Sequence, residues 1–159
     1  MKILILYSSK TGTTEKCARL LSKYLNSENS VVDLARAGEV NPNEFDGIIL
    51  GSCIRVGRIP GNVKKFVEKN LELLKKKRLG VFLCMGETPD RFEEYLSNNF
   101  SKEFLDSCVA KGYFGGEFNF DKMGFIVRKV IKKMSEGREY PSIKVENIRK
   151  FAEDFERGS

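Results

Sequence analysis

The residues with the clearest chemical potential lie in one loop close to the start of the chain. Five of the seven residues from 8 to 14 carry hydroxyl groups, and the glycine among them lets the backbone turn its amides inward. A helical pattern follows directly, and a helix N-terminus offers unpaired N–H groups and about half a positive charge. The loop therefore predicts a phosphate cradle, and an ordinary strand-to-helix turn with a threonine cap is the alternative. The predicted members of the cradle are Ser9, Lys10, Thr11, Gly12, Thr13 and Thr14.

Residue types and spacings exclude several other kinds of active site. The chain contains no histidine, which removes the Ser-His-Asp triad, the usual Cys-His pair and zinc sites that use imidazole. The four cysteines form no C-x-x-C pair, and we interpret them as free thiols that behave as small apolar residues. The phosphatase spacing C-x5-R is missing, because four residues separate Cys53 from Arg58 and six separate Cys84 from Arg91. The phosphate loops G-x-x-x-x-G-K-S/T and G-x-G-x-x-G are absent as well.

The basic residues are concentrated in two segments rather than spread over the chain. Lysine and arginine total 28 against 22 acidic residues, a net charge of +6. Residues 64–78 and 122–138 each carry a net charge of +5, so the remainder sums to −4. This distribution argues against a nucleic-acid-binding protein. No apolar run is long enough to span a membrane and no signal-peptide pattern is visible, so we expect a cytoplasmic protein.

Short apolar segments alternate with amphipathic segments along the chain. The predicted strands are residues 2–7, 30–34, 47–51, 79–84 and 109–116. The predicted helices are residues 13–26, 60–74, 89–107 and 142–157. This alternation predicts a doubly wound α/β fold with a five-stranded parallel sheet, strand order 2-1-3-4-5, and helices on both faces. We expect a single domain over residues 1–159, with residues 117–141 as an insert after the fifth strand and residues 35–46 too short for a full helix.

Three segments of the chain resemble segments of one protein family. Residues 9–14 match the pattern S/T-x-T-G-x-T, which resembles the FMN-phosphate loop of the flavodoxin family. Residues 51–58 are similar to the G-x-S-I-R-Y-G-type loop of the menaquinone-dependent protoporphyrinogen oxidases within that family, although Val56 replaces the usual aromatic residue. Residues 123–137 are similar to the basic insert of the same subgroup, but are poorer in tyrosine, tryptophan and arginine. The resemblance extends over the whole chain and implies a flavodoxin-like fold with FMN as cofactor.

The resemblance also implies that the flavin ring lies between the loops after the third and fourth strands. Its predicted contacts there are Ser52, Cys53, Ile54, Arg55, Val56, Gly57, Met85, Gly86, Glu87 and Thr88. The chain has no tryptophan and neither loop has a tyrosine, so one ring face is covered by Ile54, Val56 or Met85 or left open to a flat substrate. Gly57 can turn a backbone group toward the flavin because glycine accepts either sign of φ.

By the same resemblance, the leading function is an FMN-dependent oxidoreductase that oxidises a tetrapyrrole such as protoporphyrinogen and passes electrons to a quinone. Arg55 and Arg58 would stabilise the reduced flavin or bind substrate carboxylates, or else are solvated loop charges. The competing function is a small flavodoxin-type electron carrier that serves a protein redox partner. A flavin-binding module with a regulatory role is a third.

Residues 125–134 predict a short amphipathic helix with apolar side chains on one side and four basic residues on the other. One interpretation is a helix that packs on the sheet with a solvated basic face. The other is an interfacial helix attracted to anionic lipid, which would bring the flavin near a membrane quinone. The second interpretation makes the chain a peripheral protein at the inner face of the cell membrane.

Overall fold

A five-stranded parallel sheet forms the centre of the structure. The computed structural model describes residues 1–117, 124–134 and 141–157. Its strands are β1 (Lys2–Tyr7), β2 (Glu28–Asp33), β3 (Gly47–Cys53), β4 (Arg78–Cys84) and β5 (Cys108–Tyr113). The strands follow the order β2-β1-β3-β4-β5, and all of these pairings are parallel. The predicted fold class and strand order are confirmed, and the carboxyl ends of the strands lie along one edge of the sheet.

Helices cover both faces of this sheet. Within the described ranges they are α1 (Thr13–Tyr24), α2 (Gly61–Lys75), α3 (Phe92–Asn99), α4 (Lys102–Ser107), α5 (Phe125–Met134) and α6 (Val145–Glu156). The short connection between β2 and β3 forms two 3-10 turns, Leu34–Glu39 and Pro42–Glu44, as its length predicts. The predicted helical region 89–107 is divided, because Ser101 begins a new helix by accepting a hydrogen bond from the Phe104 N–H at 3.2 Å.

Several predicted boundaries differ from those of the structure. Strand β2 begins two residues earlier than predicted, at Glu28, and β5 ends at Tyr113 rather than at residue 116. The last helix begins at Val145 rather than at residue 142, because Ile143 forms an antiparallel bridge with Gly115. The residues just before α6 therefore lie beside those that follow β5.

The central strands are buried on both faces, as their continuous apolar sequences predict. Leu4 and Leu50 belong to one fully buried cluster, which also contains apolar residues of α2, α3 and α4. Ile5 and Ile49 belong to the other, which also contains residues of α1 and α6. Neighbouring residues of a strand point to opposite faces of the sheet, so the sheet is packed between two apolar layers. The buried strands therefore fix the positions at which the loops after β1, β3 and β4 begin.

Helix α5 does not pack its apolar side on the sheet. Ile126, Val127 and Met134 of that side are 75%, 53% and 72% exposed. The predicted helix is confirmed, and the interpretation in which it packs on the sheet is wrong. Residues 118–123 and 135–140 of the predicted insert lie outside the described residues. No helix in the described part of the chain is long and apolar enough to cross a membrane.

Candidate functional site

The loops after β1, β3 and β4 surround a cavity of about 310 Å³ at the carboxyl edge of the sheet. Parallel sheets of this kind bind ligands at the point where the strand order reverses, which here lies between β1 and β3. Ten of the residues predicted from sequence line the cavity, namely Lys10, Thr11, Thr13, Thr14, Cys53, Ile54, Arg55, Val56, Met85 and Gly86. The fold thus brings together three loops, each more than twenty-five residues from the next along the chain.

The loop between β1 and α1 is shaped by a left-handed glycine. Gly12 has a φ of 97°, and its N–H donates to the Ser9 hydroxyl at 3.0 Å. Ser9 is therefore a residue that shapes the loop, and it does not line the cavity. Gly12 occupies the N-cap position of α1, where no side chain accepts a hydrogen bond from the first turn. The first N–H groups of α1 are consequently directed toward the loop without a side-chain cap.

A buried hydroxyl adds to this arrangement. Thr13 Oγ1 is shielded from solvent and has no hydrogen-bond partner among the described residues. Thr14, the next residue, is 1% exposed and also lines the cavity. A buried hydroxyl without a partner costs about 1–3 kcal/mol, so such groups usually have a ligand or water to bind. Hydroxyls at an uncapped helix N-terminus are the donor set that a phosphate group requires, and the residues present therefore fit one.

The loop after β3 ends in a tight hairpin, residues 55–58, which we call the 55–58 turn. Its ends are paired by two hydrogen bonds, from the Arg55 N–H to the Arg58 carbonyl at 2.9 Å and from the Arg58 N–H to the Arg55 carbonyl at 3.1 Å. Val56 and Gly57 between them have φ values of 52° and 73°. Two consecutive positive φ values are typical of a type I′ turn. Val56 is 97% exposed at the edge of the cavity.

Several residues predicted to contact the flavin lie elsewhere. Ser52 is fully buried, and its hydroxyl donates to the Cys53 carbonyl at 3.0 Å. The Thr88 hydroxyl donates to the Asp90 carboxylate, and Thr88 lines neither described cavity. Three others line a second cavity of about 660 Å³ between the 55–58 turn and α3, namely Gly57, Arg58 and Glu87. The two candidate arginines therefore lie on different sides of the turn, with Arg55 alone at the first cavity.

Five residues that sequence reasoning did not assign to the site complete the first cavity, namely Cys84, Gly116, Glu117, Ile131 and Pro141. Gly116 follows β5, and a Cβ added there would lie 2.9 Å from the Met85 carbonyl oxygen. The pair of glycines after the fifth strand is the signal that could have identified this close approach of two backbones. Ile131 and Pro141 come from the region of the predicted insert, and no local pattern marks them as cavity residues.

The charges around the first cavity suit an anionic ligand. Lys10 and Arg55 line it, and Glu117 is the single acidic residue among the described residues of its lining. Glu117 is paired with Lys16 at 3.2 Å, so its charge is already opposed. Together with the dipole of α1, these side chains give the cavity a positive local balance.

The thiols beside the cavity are poorly suited to chemistry of their own. Cys53 and Cys84 are register partners on β3 and β4, and Cys17 of α1 lies against Cys84. Burial raises the pKa of the Cys53 thiol. The pKa of Cys84 is raised well above its usual range, first by its hydrogen bond with Cys17 and then by burial. A raised pKa keeps a thiol protonated and unreactive, and no cluster of metal ligands occurs among the residues that the structure describes.

A protein-family model for the flavodoxin domain matches residues 4–144. The chain belongs to the flavodoxin family. A flavodoxin of Clostridium saccharobutylicum is 34% identical over 84 residues, which cover 50% of this chain and 52%, about half, of that relative. The protoporphyrinogen IX dehydrogenase (quinone) of Escherichia coli K12 is 25% identical over 152 residues, covering 86% of this chain and 82% of that protein.

Solved flavodoxins share the fold of this family member. The flavodoxin of Streptococcus pneumonia TIGR4 superposes with a TM-score of 0.60 at 19% identity, covering 98% of this chain and 97% of the other. Oxidised flavodoxin 1 of Bacillus cereus gives 0.57 at 18% identity, covering 100% and 99%. A Fusobacterium nucleatum flavodoxin bound to flavin mononucleotide gives 0.50 at 16% identity, covering 69% and 68%. Flavodoxins therefore include members with bound FMN on the same sheet topology.

Proposed function

We propose that this flavodoxin-family chain binds FMN in the cavity at the carboxyl edge of β1, β3 and β4. The observation that carries the proposal is the buried Thr13 hydroxyl, which lacks a partner among the described residues beside the uncapped N-terminus of α1. When bound, FMN supplies one- or two-electron transfer chemistry. The flavin-based redox role of the family supports the same assignment.

Separate groups of residues would have separate tasks in holding FMN. Ser9 and Gly12 shape the phosphate loop, and the hydroxyls of Thr11, Thr13 and Thr14 with the α1 amides would bind the phosphate. The residues after β3 and β4 would border the ring, with Ile54 and Met85 buried at 8% and 2% exposure.

Arg55 is exposed at the same cavity, where it would lower the energy of an anionic reduced flavin. Arg58 lies on the far side of the 55–58 turn. We therefore propose it as a contact for a substrate carboxylate rather than for the ring.

We propose further that the chain is an FMN-dependent oxidoreductase that takes reducing equivalents from a tetrapyrrole and passes them to a quinone. The Escherichia coli relative named for this activity aligns over 86% of the chain, which supports the proposal. A small electron carrier is the second candidate, favoured by the 34% identity to a Clostridium flavodoxin over half of that protein. A positively charged chain would dock poorly on a basic reductase, which argues against the carrier.

Reconstitution and two redox assays separate these functions. Purified protein mixed with FMN should turn yellow and quench the flavin fluorescence at a one-to-one ratio, and unquenched fluorescence would refute the cofactor assignment. Protoporphyrinogen added without oxygen should then bleach the flavin, and a quinone should restore its colour. A flavin that protoporphyrinogen leaves oxidised, but that exchanges electrons rapidly with a flavodoxin reductase, would instead identify a carrier.

We propose that α5 contacts an anionic membrane surface from the cytoplasmic side. Ile126, Val127, Val130 and Met134 are exposed on one side of the helix. Arg128, Lys129, Lys132 and Lys133 supply positive charge on the other, and the helix has no acidic residue. Ile131 of the same helix lines the proposed flavin cavity. Binding to lipid would thus hold the cavity near a membrane-dissolved quinone.

Sedimentation with vesicles tests the lipid contact. The protein should sediment with vesicles of phosphatidylglycerol at low salt, less so at high salt, and not with neutral phosphatidylcholine vesicles. Ile126→Asp should abolish sedimentation, whereas Val109→Asp, at a 47% exposed apolar position on β5, should leave it unchanged. Equal sedimentation of both variants, or none by the wild type at low salt, would refute the proposal.

A further inference from the structure

We propose that Asn99 is a positioning residue for the flavin site, because it holds the 55–58 turn in the shape that forms one wall of the first cavity. The inference rests on the proposed binding of FMN there, and it is independent of the substrate and of the electron acceptor. Asn99 itself lines the second cavity, on the α3 side of the turn, so it acts through the turn and not by touching the ring.

Both the amide nitrogen and the amide oxygen of the Asn99 side chain form hydrogen bonds with backbone groups. Nδ2 donates to the Gly57 carbonyl at 2.9 Å and to the Tyr95 carbonyl at 2.8 Å. Oδ1 accepts from the Ile59 N–H at 3.0 Å. One side chain at the end of α3 therefore binds the chain both within the turn and just after it, and at the same time is fixed to its own helix.

The turn requires such a restraint because of the residue at its tip. Val56 has a φ of 52°, a left-handed conformation that is costly for a β-branched side chain. The Val56 side chain is 97% exposed, so packing contributes little to holding it there. Gly57, with a φ of 73°, carries no such penalty. Strain of this kind persists only where the surroundings over-determine the conformation. Here the Asn99 hydrogen bonds add to the two backbone hydrogen bonds between Arg55 and Arg58.

The shape of the turn matters to the cavity because the turn and the segment before it form part of the lining. Cys53, Ile54, Arg55 and Val56 all line the first cavity. A turn that relaxed toward negative φ at Val56 would redirect the backbone of this segment. Loss of the Asn99 hydrogen bonds should therefore weaken FMN binding although the phosphate loop, on the other side of the cavity, is unchanged.

The test compares Asn99→Ala with Asn98→Ala, a matched control at an exposed neighbour that lines the same second cavity. Asn99→Ala should bind FMN about tenfold more weakly than the wild type, and Asn98→Ala should bind it as the wild type does. In protein without FMN, trypsin should cleave after Arg55 and Arg58 faster in Asn99→Ala than in Asn98→Ala. The wild-type titration reports on the proposed function, whereas the comparison of the two variants reports on Asn99.

A second substitution separates positioning from general stability. Val56→Gly removes the strain at the tip, so Asn99→Ala should cost less FMN affinity in a Val56→Gly background than in the wild type. Asn99→Asp retains the acceptor for the Ile59 N–H and loses both donors, and it replaces Asn99→Ala if that variant does not fold. Unchanged FMN affinity in the Asn99 variants, equal trypsin sensitivity in the two alanine variants, or an equal loss of affinity on Asn99→Ala in both backgrounds would overturn the proposal.

Discussion

Replacement of Thr13 by valine should have opposite effects on the protein with and without FMN. Valine keeps the size and branching of threonine and removes the buried hydroxyl that has no partner among the described residues. A buried polar atom without a partner costs about 1–3 kcal/mol, so Thr13→Val should stabilise the ligand-free protein by about 1 kcal/mol or more. A hydrogen bond to a charged phosphate contributes about 1.5–3 kcal/mol, so the same change should weaken FMN binding roughly 10- to 100-fold.

Two measurements on the same samples test this. Denaturant unfolding of the ligand-free protein gives the change in free energy of unfolding, and quenching of flavin fluorescence gives the dissociation constant. Thr88→Val is the matched control. It makes the same substitution at a threonine that was predicted to contact the flavin but that lines neither cavity. Its affinity for FMN should equal that of the wild type.

The sign of the stability change is the decisive result. If Thr13→Val is less stable without FMN and binds FMN as tightly as the wild type, then the Thr13 hydroxyl has a structural partner and is not a phosphate donor. That outcome would remove the observation on which the proposed function rests.

Three further predictions concern the scaffold and its ionisable groups. Gly51→Ala should destabilise the fold by about 3 kcal/mol in denaturant unfolding, because the added Cβ would lie 2.1 Å from the fully buried Phe82 ring, whereas Gly38→Ala, with no atom within 4 Å, should be tolerated. Burial alone raises the pKa of Glu156, but hydrogen bonds from the loop after α1 outweigh burial and lower it. Glu156→Gln should therefore cost about 1–2 kcal/mol at pH 7, and the difference from the wild type should shrink as the pH falls below the usual range of a glutamate pKa and the carboxylate takes up a proton. Burial raises the pKa of Cys108 to about 12, so mass spectrometry should find it alkylated roughly a thousandfold more slowly than free cysteine at pH 8.

The sheet was predictable from sequence because its central strands are short, continuous apolar segments. Residues 2–7 and 47–51 are apolar runs bounded by turn residues, and runs of that length fit only buried parallel strands once helices alternate with them. The ends of elements were less predictable, because they depend on tertiary contacts. The start of α6 is one example, since the bridge between Ile143 and Gly115 joins segments that no local pattern connects.

The candidate site residues likewise differ in whether local sequence or tertiary structure decides their placement. The proposed phosphate loop, residues 9–14, is one continuous segment whose hydroxyls and glycine are visible as a group in the sequence. The sequence also indicated the loop after β3, but it could not predict which cavity each residue of that loop lines. The turn at Val56 and Gly57 places Arg55 at the first cavity and Arg58 at the second. Sequence shows which residues share a loop, whereas backbone conformation decides which surface each of them reaches.

The aliphatic side chains around the first cavity are compatible with the proposed oxidoreductase. They include Ile54, Val56 and Ile131. An aliphatic side chain such as Val56 or Ile131 can border a flat ring without stacking over it, which leaves room for a second flat molecule. A carrier needs only an exposed ring edge, whereas hydride transfer needs an accessible face next to the donor. Ile131 also belongs to α5, so a membrane-dissolved quinone that binds near this helix would lie beside the proposed flavin. The same open ring face would then serve the electron donor and the electron acceptor in turn.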